Sequence, residues 1–205
     1  MKTKQIMIAR ALTLMSLAAV LATAAPARAG DDGGCGWPRD RKGWLVGFNT
    51  GWGTSTYGAT IGKRTISDEG FGGGMGGLRV GYAFSNAFAV SLEGYGFGSD
   101  EGDDDWGMGA GFATATWYPG GGGFFVRGGL GLGGGELLMR ETGEMLDFGA
   151  EAAGLISLGY EWQVTRKFAL GLSVDGFGFD LGGASGLDDD FAGVGGMTIQ
   201  FNWYL

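Results

Sequence analysis

The last nine residues carry the signal that most restricts what this chain can become. Met197, Ile199, Phe201, Trp203 and Leu205 are apolar, and Thr198, Gln200, Asn202 and Tyr204 stand between them. Successive side chains of a strand point to opposite faces, so a period of two marks a sheet with one apolar and one unlike side. The beat recurs at Trp44, Val46, Phe48 and Trp52, at Leu78, Val80, Tyr82 and Phe84, and at Phe88, Val90 and Leu92. It returns at Phe124, Val126, Leu130 and Leu132, at Ile156, Leu158, Tyr160 and Trp162, and at Phe168, Leu170, Leu172 and Val174. A further run, Trp106 to Tyr118, leaves its outward face open between Phe112/Thr114/Thr116 and Ala113/Ala115/Trp117. These are eight candidate strands, suited to a tilted crossing of hydrocarbon, which takes about 9–11 residues each.

The connections alternate in length as well. Short turns are expected at Ser85-Asn86, Pro119 to Gly122 and Val164 to Lys167, and longer polar connections at Gly53 to Gly70, Ser99 to Asp105, Gly133 to Asp147 and Asp180 to Asp190. Short turns at one end and long loops at the other describe an all-β, eight-stranded antiparallel up-and-down transmembrane β-barrel, with short periplasmic turns and longer extracellular loops. Closure follows from the solvent: hydrocarbon offers nothing to unpaired backbone groups, so a spanning sheet can have no edge. The outward aromatics Trp44, Trp52, Tyr82, Phe84, Tyr160, Trp162 and Trp203 are expected as girdles at the membrane interfaces.

Composition removes other classes. Gly accounts for 47 of 205 residues with no period of three and only 3 Pro, which excludes collagen, and the large aromatic content argues against a disordered linker. His is absent, so the commonest general base and metal ligand are missing and no Ser-His or Cys-His pair can form. No enzyme activity, catalytic residue, resident metal or cofactor is expected.

Residues 1–29 read as a cleaved signal peptide: Lys2, Lys4 and Arg10, an apolar run from Ala11 to Ala22, then Ala27-Arg28-Ala29 before Gly30. Residues 30–42 are then a short N-terminal periplasmic segment and 43–205 the barrel. Removing Lys2, Lys4, Arg10 and Arg28 from the 14 bases leaves 10 against 22 acids, so nucleic acid is not an expected partner. Cys35 is the only cysteine, which excludes an internal disulfide.

The Tyr118-Pro119-Gly120 turn leading into Phe124-Phe125-Val126-Arg127-Gly128-Gly129-Leu130-Gly131-Leu132-Gly133, with the terminus Phe201-Asn202-Trp203-Tyr204-Leu205, resembles the small eight-stranded outer-membrane β-barrel superfamily of Gram-negative bacteria, the OmpA/OmpX-like group. The resemblance covers Gly43 to Leu205. It implies a location in the outer membrane among its lipids and lipopolysaccharide, as a monomer. It also implies assembly by the barrel-assembly machinery, with Phe201, Trp203 and Leu205 as the signal. In that group the chain usually ends in Phe or Trp, and Leu205 departs from this.

Inside such a barrel the alternation places Arg79, Glu93, Arg127, Glu151 and Asp175, which must neutralise one another when desolvated. A turn centred on Asn86 sets Arg79 opposite Glu93. Inward glycines at Gly47, Gly51, Gly77, Gly81, Gly129, Gly131, Gly159 and Gly171 either permit strong coiling or leave space. Two loops carry acid runs, Asp100, Glu101, Asp103, Asp104 and Asp105, and Asp188, Asp189 and Asp190; a solvated surface is favoured there over divalent-cation binding. The role most consistent with these features is a non-enzymatic envelope or surface-interaction protein. The alternative, a narrow passive channel for small or hydrophobic solutes, leans on the inward glycines and on Tyr95, Phe97 and Phe177.

Overall fold

The computed structural model describes residues 41–61, 64–99, 104–139, 143–147, 149–180 and 191–205. Among the described residues nine strands follow one another: β1 (Gly43–Ile61), β2 (Arg64–Ala83), β3 (Phe88–Ser99), β4 (Asp104–Trp117), β5 (Phe124–Met139), β6 (Glu144–Asp147), β7 (Glu151–Gln163), β8 (Phe168–Asp180) and β9 (Phe191–Tyr204). All pairings are antiparallel between chain neighbours, except that β5 passes to β7 and β9 returns to β1. The sheet therefore closes as an up-and-down barrel of eight strands, with β6 as a short addition beside the far end of β5.

The register fixes the geometry. Registered partners lead from Leu45 through Gly81, Ser91, Thr114, Gly129, Leu155, Phe177 and Val194 back to β1 at Ser55, ten residues along from the start. A stagger of ten over eight strands, at about 3.3 Å per residue and 4.8 Å between strands, tilts the strands by about 40°.

Three tight connections gather at one end with the start of β1 and the end of β9. Phe84 N donates to Phe88 O at 3.0 Å and Val164 N to Phe168 O at 2.9 Å. The third runs through Gly120 and Gly121 at φ 64° and 67°, a left-handed backbone that side chains disfavour. Two long connections differ from expectation. Most of Gly53 to Gly70 is strand, as β1 runs to Ile61 and β2 starts at Arg64, and Gly133 to Asp147 holds the end of β5 and all of β6. Glycine, serine and threonine blur the alternating pattern there, but backbone pairing does not require an apolar face. The β1–β2 extension contains one irregularity: Ser55 pairs with Phe71 and Thr56 with Glu69, leaving Gly70 as an extra residue.

Side chains sort by parity. Trp44, Trp52, Leu78, Leu92, Leu130 and Ile156 are among the exposed outward residues, while Leu45, Arg79, Glu93 and Arg127 are buried inward. Every barrel strand turns an aromatic outward near the tight-turn end: Trp44, Tyr82, Phe88, Trp117, Phe124, Trp162, Phe168 and Trp203. Neighbours interlock across the strands, Trp44 on Tyr82 at 5.8 Å and Phe168 on Trp203 at 5.0 Å between ring centroids, so this end carries a continuous girdle. Trp52 stands eight residues further along β1, away from it.

Candidate functional site: the barrel interior

The interior is built in tiers. The middle tier centres on Arg127, fully buried, whose Nη1 donates to both carboxylate oxygens of Glu93 at 3.2 and 3.0 Å. Its Nη2 donates to Ser157 Oγ at 3.0 Å and lies 3.6 Å from Asp175 Oδ1. Glu93 also accepts from Ser91 Oγ at 3.0 Å and Thr114 Oγ1 at 2.8 Å. Asp175 accepts from Ser173 Oγ at 2.9 Å and from Thr198, and Gln200 Nε2 donates to Ser173 Oγ at 2.6 Å. Hydroxyls from β3, β4, β7, β8 and β9 thus solvate two carboxylates and one guanidinium where bulk water is excluded.

Arg79 stands directly opposite Glu93 in the register, as the Asn86-centred turn requires. Its Nη1 is 3.8 Å from Glu93 Oε1, an ion pair too long to be a hydrogen bond. The tighter partner of Glu93 is Arg127, reached across the lumen rather than along the hairpin. Glu151 is not brought to this tier: it opens β7 opposite Gly133, six residues from Ser157, or about 20 Å along the strand. Of the open run on β4, Phe112, Thr114 and Thr116 face inward and Ala113, Ala115 and Trp117 outward.

The tier toward the tight turns centres on Glu161, which sequence reasoning did not single out. Its carboxylate accepts from Tyr204 Oη at 2.9 and 3.0 Å, Asn202 Nδ2 at 2.9 Å and Arg41 Nε at 3.1 Å. Arg41 precedes β1 and folds into the barrel mouth. Its other nitrogens donate to the carbonyls of Asn86, Gly121 and Gly122 at 3.1, 3.3 and 2.9 Å, its backbone N–H to Asn86 Oδ1 at 2.9 Å, and its guanidinium lies 3.8 Å over the Tyr118 ring. One side chain therefore ties two tight turns to β7 and caps the opening. Charge is balanced over both tiers, with Arg41, Arg79 and Arg127 against Glu93, Glu161 and Asp175.

On the opposite side of the Arg127 tier the lumen turns apolar. Tyr95, Phe112 and Phe177 meet with ring centroids 5.7–6.3 Å apart, and Met75, Phe97, Met108, Leu155 and Val194 pack with them. Several inward glycines mark close approaches between strands. A Cβ on Gly51 would collide with Met197 O, one on Gly131 with Gly111 O, and one on Gly77 with Gly94 O.

Asp104 opens β4 and Asp105 follows it; Asp100, Glu101, Asp103, Asp188, Asp189 and Asp190 lie outside the described residues, as do Cys35 and the signal-peptide segment. Phe201 and Trp203 face outward on β9, and Leu205 N donates to Trp44 O at 2.8 Å, so these terminal residues form one side of the β1–β9 closure.

No family model matches the chain, and no curated protein does. Solved structures do. The chain is similar to Neisserial surface protein A, at 11% identity over 80% of this chain and 98% of that one, with a TM-score of 0.54. Ail, the attachment invasion locus protein of Yersinia pestis, aligns at 16% identity over 78% of this chain and 99% of its own, TM-score 0.48. OprG of Pseudomonas aeruginosa aligns at 14% over 80% and 97%, TM-score 0.43. With its closed register and its apolar side turned outward, the chain has the fold of the small eight-stranded β-barrels of the bacterial outer membrane.

Proposed function

We propose that this protein is a non-enzymatic outer-membrane barrel whose closed body carries loops to the cell surface, where it serves envelope integrity or contact with other surfaces. The observation that carries this reading is the filled interior: a neutral, hydrogen-bonded charge tier backed by an aromatic tier, with Arg41 across the mouth. A channel would need both tiers to move. The absence of His supports a non-catalytic role, because Ser or Asp alone is weak chemistry without a base.

In this reading residues 1–29 are removed on export, residues 30–42 are a short N-terminal periplasmic segment, and the barrel works as a monomer among lipids and lipopolysaccharide. The barrel-assembly machinery reads Phe201, Trp203 and Leu205. The acid runs are solvated surface, and calorimetry with calcium tests this: binding heat at millimolar ion would replace it with a cation-bridging role. Reconstitution of the full mature chain in planar bilayers tests the main reading. A silent bilayer is expected, and stable unitary currents would transfer the assignment to a narrow passive channel.

A further inference from the structure

The alternation changes phase part-way along several strands. On β3 the apolar residues Val90 and Leu92 face outward and Tyr95 and Phe97 inward; on β8 the change falls between Val174 and Phe177. Strands β2 and β9 change likewise, from Leu78 to Met75 and from Met197 to Val194. With the strands tilted by about 40°, each residue rises about 2.5 Å along the barrel axis and each registered step to the next strand about 3 Å. On that scale the outward face turns to glycine at about 16–22 Å above Trp44, at Gly76, Gly94, Gly111, Gly154, Gly176 and Gly195. Trp52 and Leu132 are outward apolar side chains that reach the top of this interval, and above it, among the described residues, one large exposed apolar ring remains, that of Phe191, which lies against Gly178 and Gly193. The interior changes at the same height, from the Arg127 tier to the Tyr95–Phe112–Phe177 tier. Polarity is therefore exchanged between the two faces at one level around the barrel.

Packing within the chain requires only Gly76 among them, where a Cβ would come within 2.9 Å of Asn49 O. A Cβ on Gly94, Gly111, Gly154 or Gly195, or on Gly74 and Gly98 above them, would meet nothing within 4 Å, and one on Gly176 would make only ordinary contact with Val194 O at 3.7 Å. The exchange has a solvent reason. Gathering apolar side chains inside a wall is stabilising where the outside is water; where the outside is hydrocarbon, lipid tails would serve those side chains as well.

We infer that the hydrocarbon layer covers only the tight-turn half of the barrel, ending about 20 Å above Trp44, and that the other half stands in the polar headgroup layer as a stalk with a water-soluble protein's core. This rests on the outer-membrane reading above. The belt is shorter than the usual apolar band of about 25 Å, so the bilayer thins locally to meet it.

The test places single cysteines on the outward face of the full mature chain in a Cys35→Ser background. Leu92→Cys and Leu172→Cys probe the belt, and Gly74→Cys, Gly98→Cys and Gly195→Cys the stalk. Each is labelled with an environment-sensitive fluorophore and reconstituted in phosphatidylcholine vesicles with or without chain-brominated lipid. Strong quenching at Leu92 and Leu172, with little at the three glycine positions, is expected. Equal quenching at all five would overturn the inference and leave the membrane reading intact. No quenching at any position would refute the membrane reading itself and the inference with it.

Discussion

Replacing Arg127 with methionine is the sharpest perturbation of the interior, because it keeps an unbranched apolar stem and removes the charged head. At 3.0 Å from Glu93 and an effective dielectric of about 20, the attraction alone amounts to about 5 kcal/mol. Asp175 adds a weaker share at 3.6 Å, and dehydrating the guanidinium takes back several kcal/mol. The pair's net worth is thus small, but removing one partner strands two buried carboxylates, with only Arg79 left near Glu93, at 3.8 Å. Loss of a single member of a buried pair costs about 3–5 kcal/mol, and Arg127→Met should fall in that range. Adding Glu93→Gln should recover part of the loss by removing one stranded charge. Reversible urea unfolding in lipid vesicles, followed by tryptophan fluorescence, measures both. A loss below about 1 kcal/mol, the size of an exposed ion pair, would refute the view that this tier holds the barrel shut, as would a double variant as unstable as the two single losses added together.

Gly131→Val should prevent folding, because its Cβ would collide with Gly111 O, whereas Gly98→Val should fold at least as stably as the parent; the heat-dependent gel shift of folded barrels reads both. Arg41→Ala removes several charged hydrogen bonds at the mouth and should cost about 2–4 kcal/mol, with faster amide exchange at Tyr118 and Gly121. Burial, then the Glu161 carboxylate, holds the Tyr118 hydroxyl above its ordinary pKa of 10.0. The unfolded chain therefore loses this proton first, and stability should fall as pH rises beyond about 10; Tyr118→Phe should flatten that decline in urea unfolding at graded pH.

The architecture was legible because lipid imposes a rule on every second residue, and Arg79 opposite Glu93 followed from the centre of one tight turn. Glu161 and Arg41 were not legible. Glu161 looked like one more polar residue between Tyr160 and Trp162, and its partners come from segments 41 to 120 residues away. The available signal was parity: Glu161, Asn202, Tyr204 and Tyr118 all fall on the inward side close to tight turns. Glu151 has the same parity, but its height in the barrel, which parity does not report, separates it from Arg127. The Trp106 to Tyr118 run resisted assignment because its apolar residues change sides along it, Trp106, Met108 and Phe112 inward, Ala113, Ala115 and Trp117 outward.

The surplus Gly70 opposite the Ser55–Thr56 step has a consequence for how this molecule can change length. Within the closed wall, adding or deleting one residue would turn everything beyond it inside out, so viable edits there come in twos, matched on both arms of a hairpin. Where β2 has run past its last pairing with β3, at Gly74 and Gly98, that arithmetic is relaxed, and a single unmatched residue is accommodated. Odd-numbered insertions in natural or engineered variants should therefore collect in the overhang and be missing from the staves.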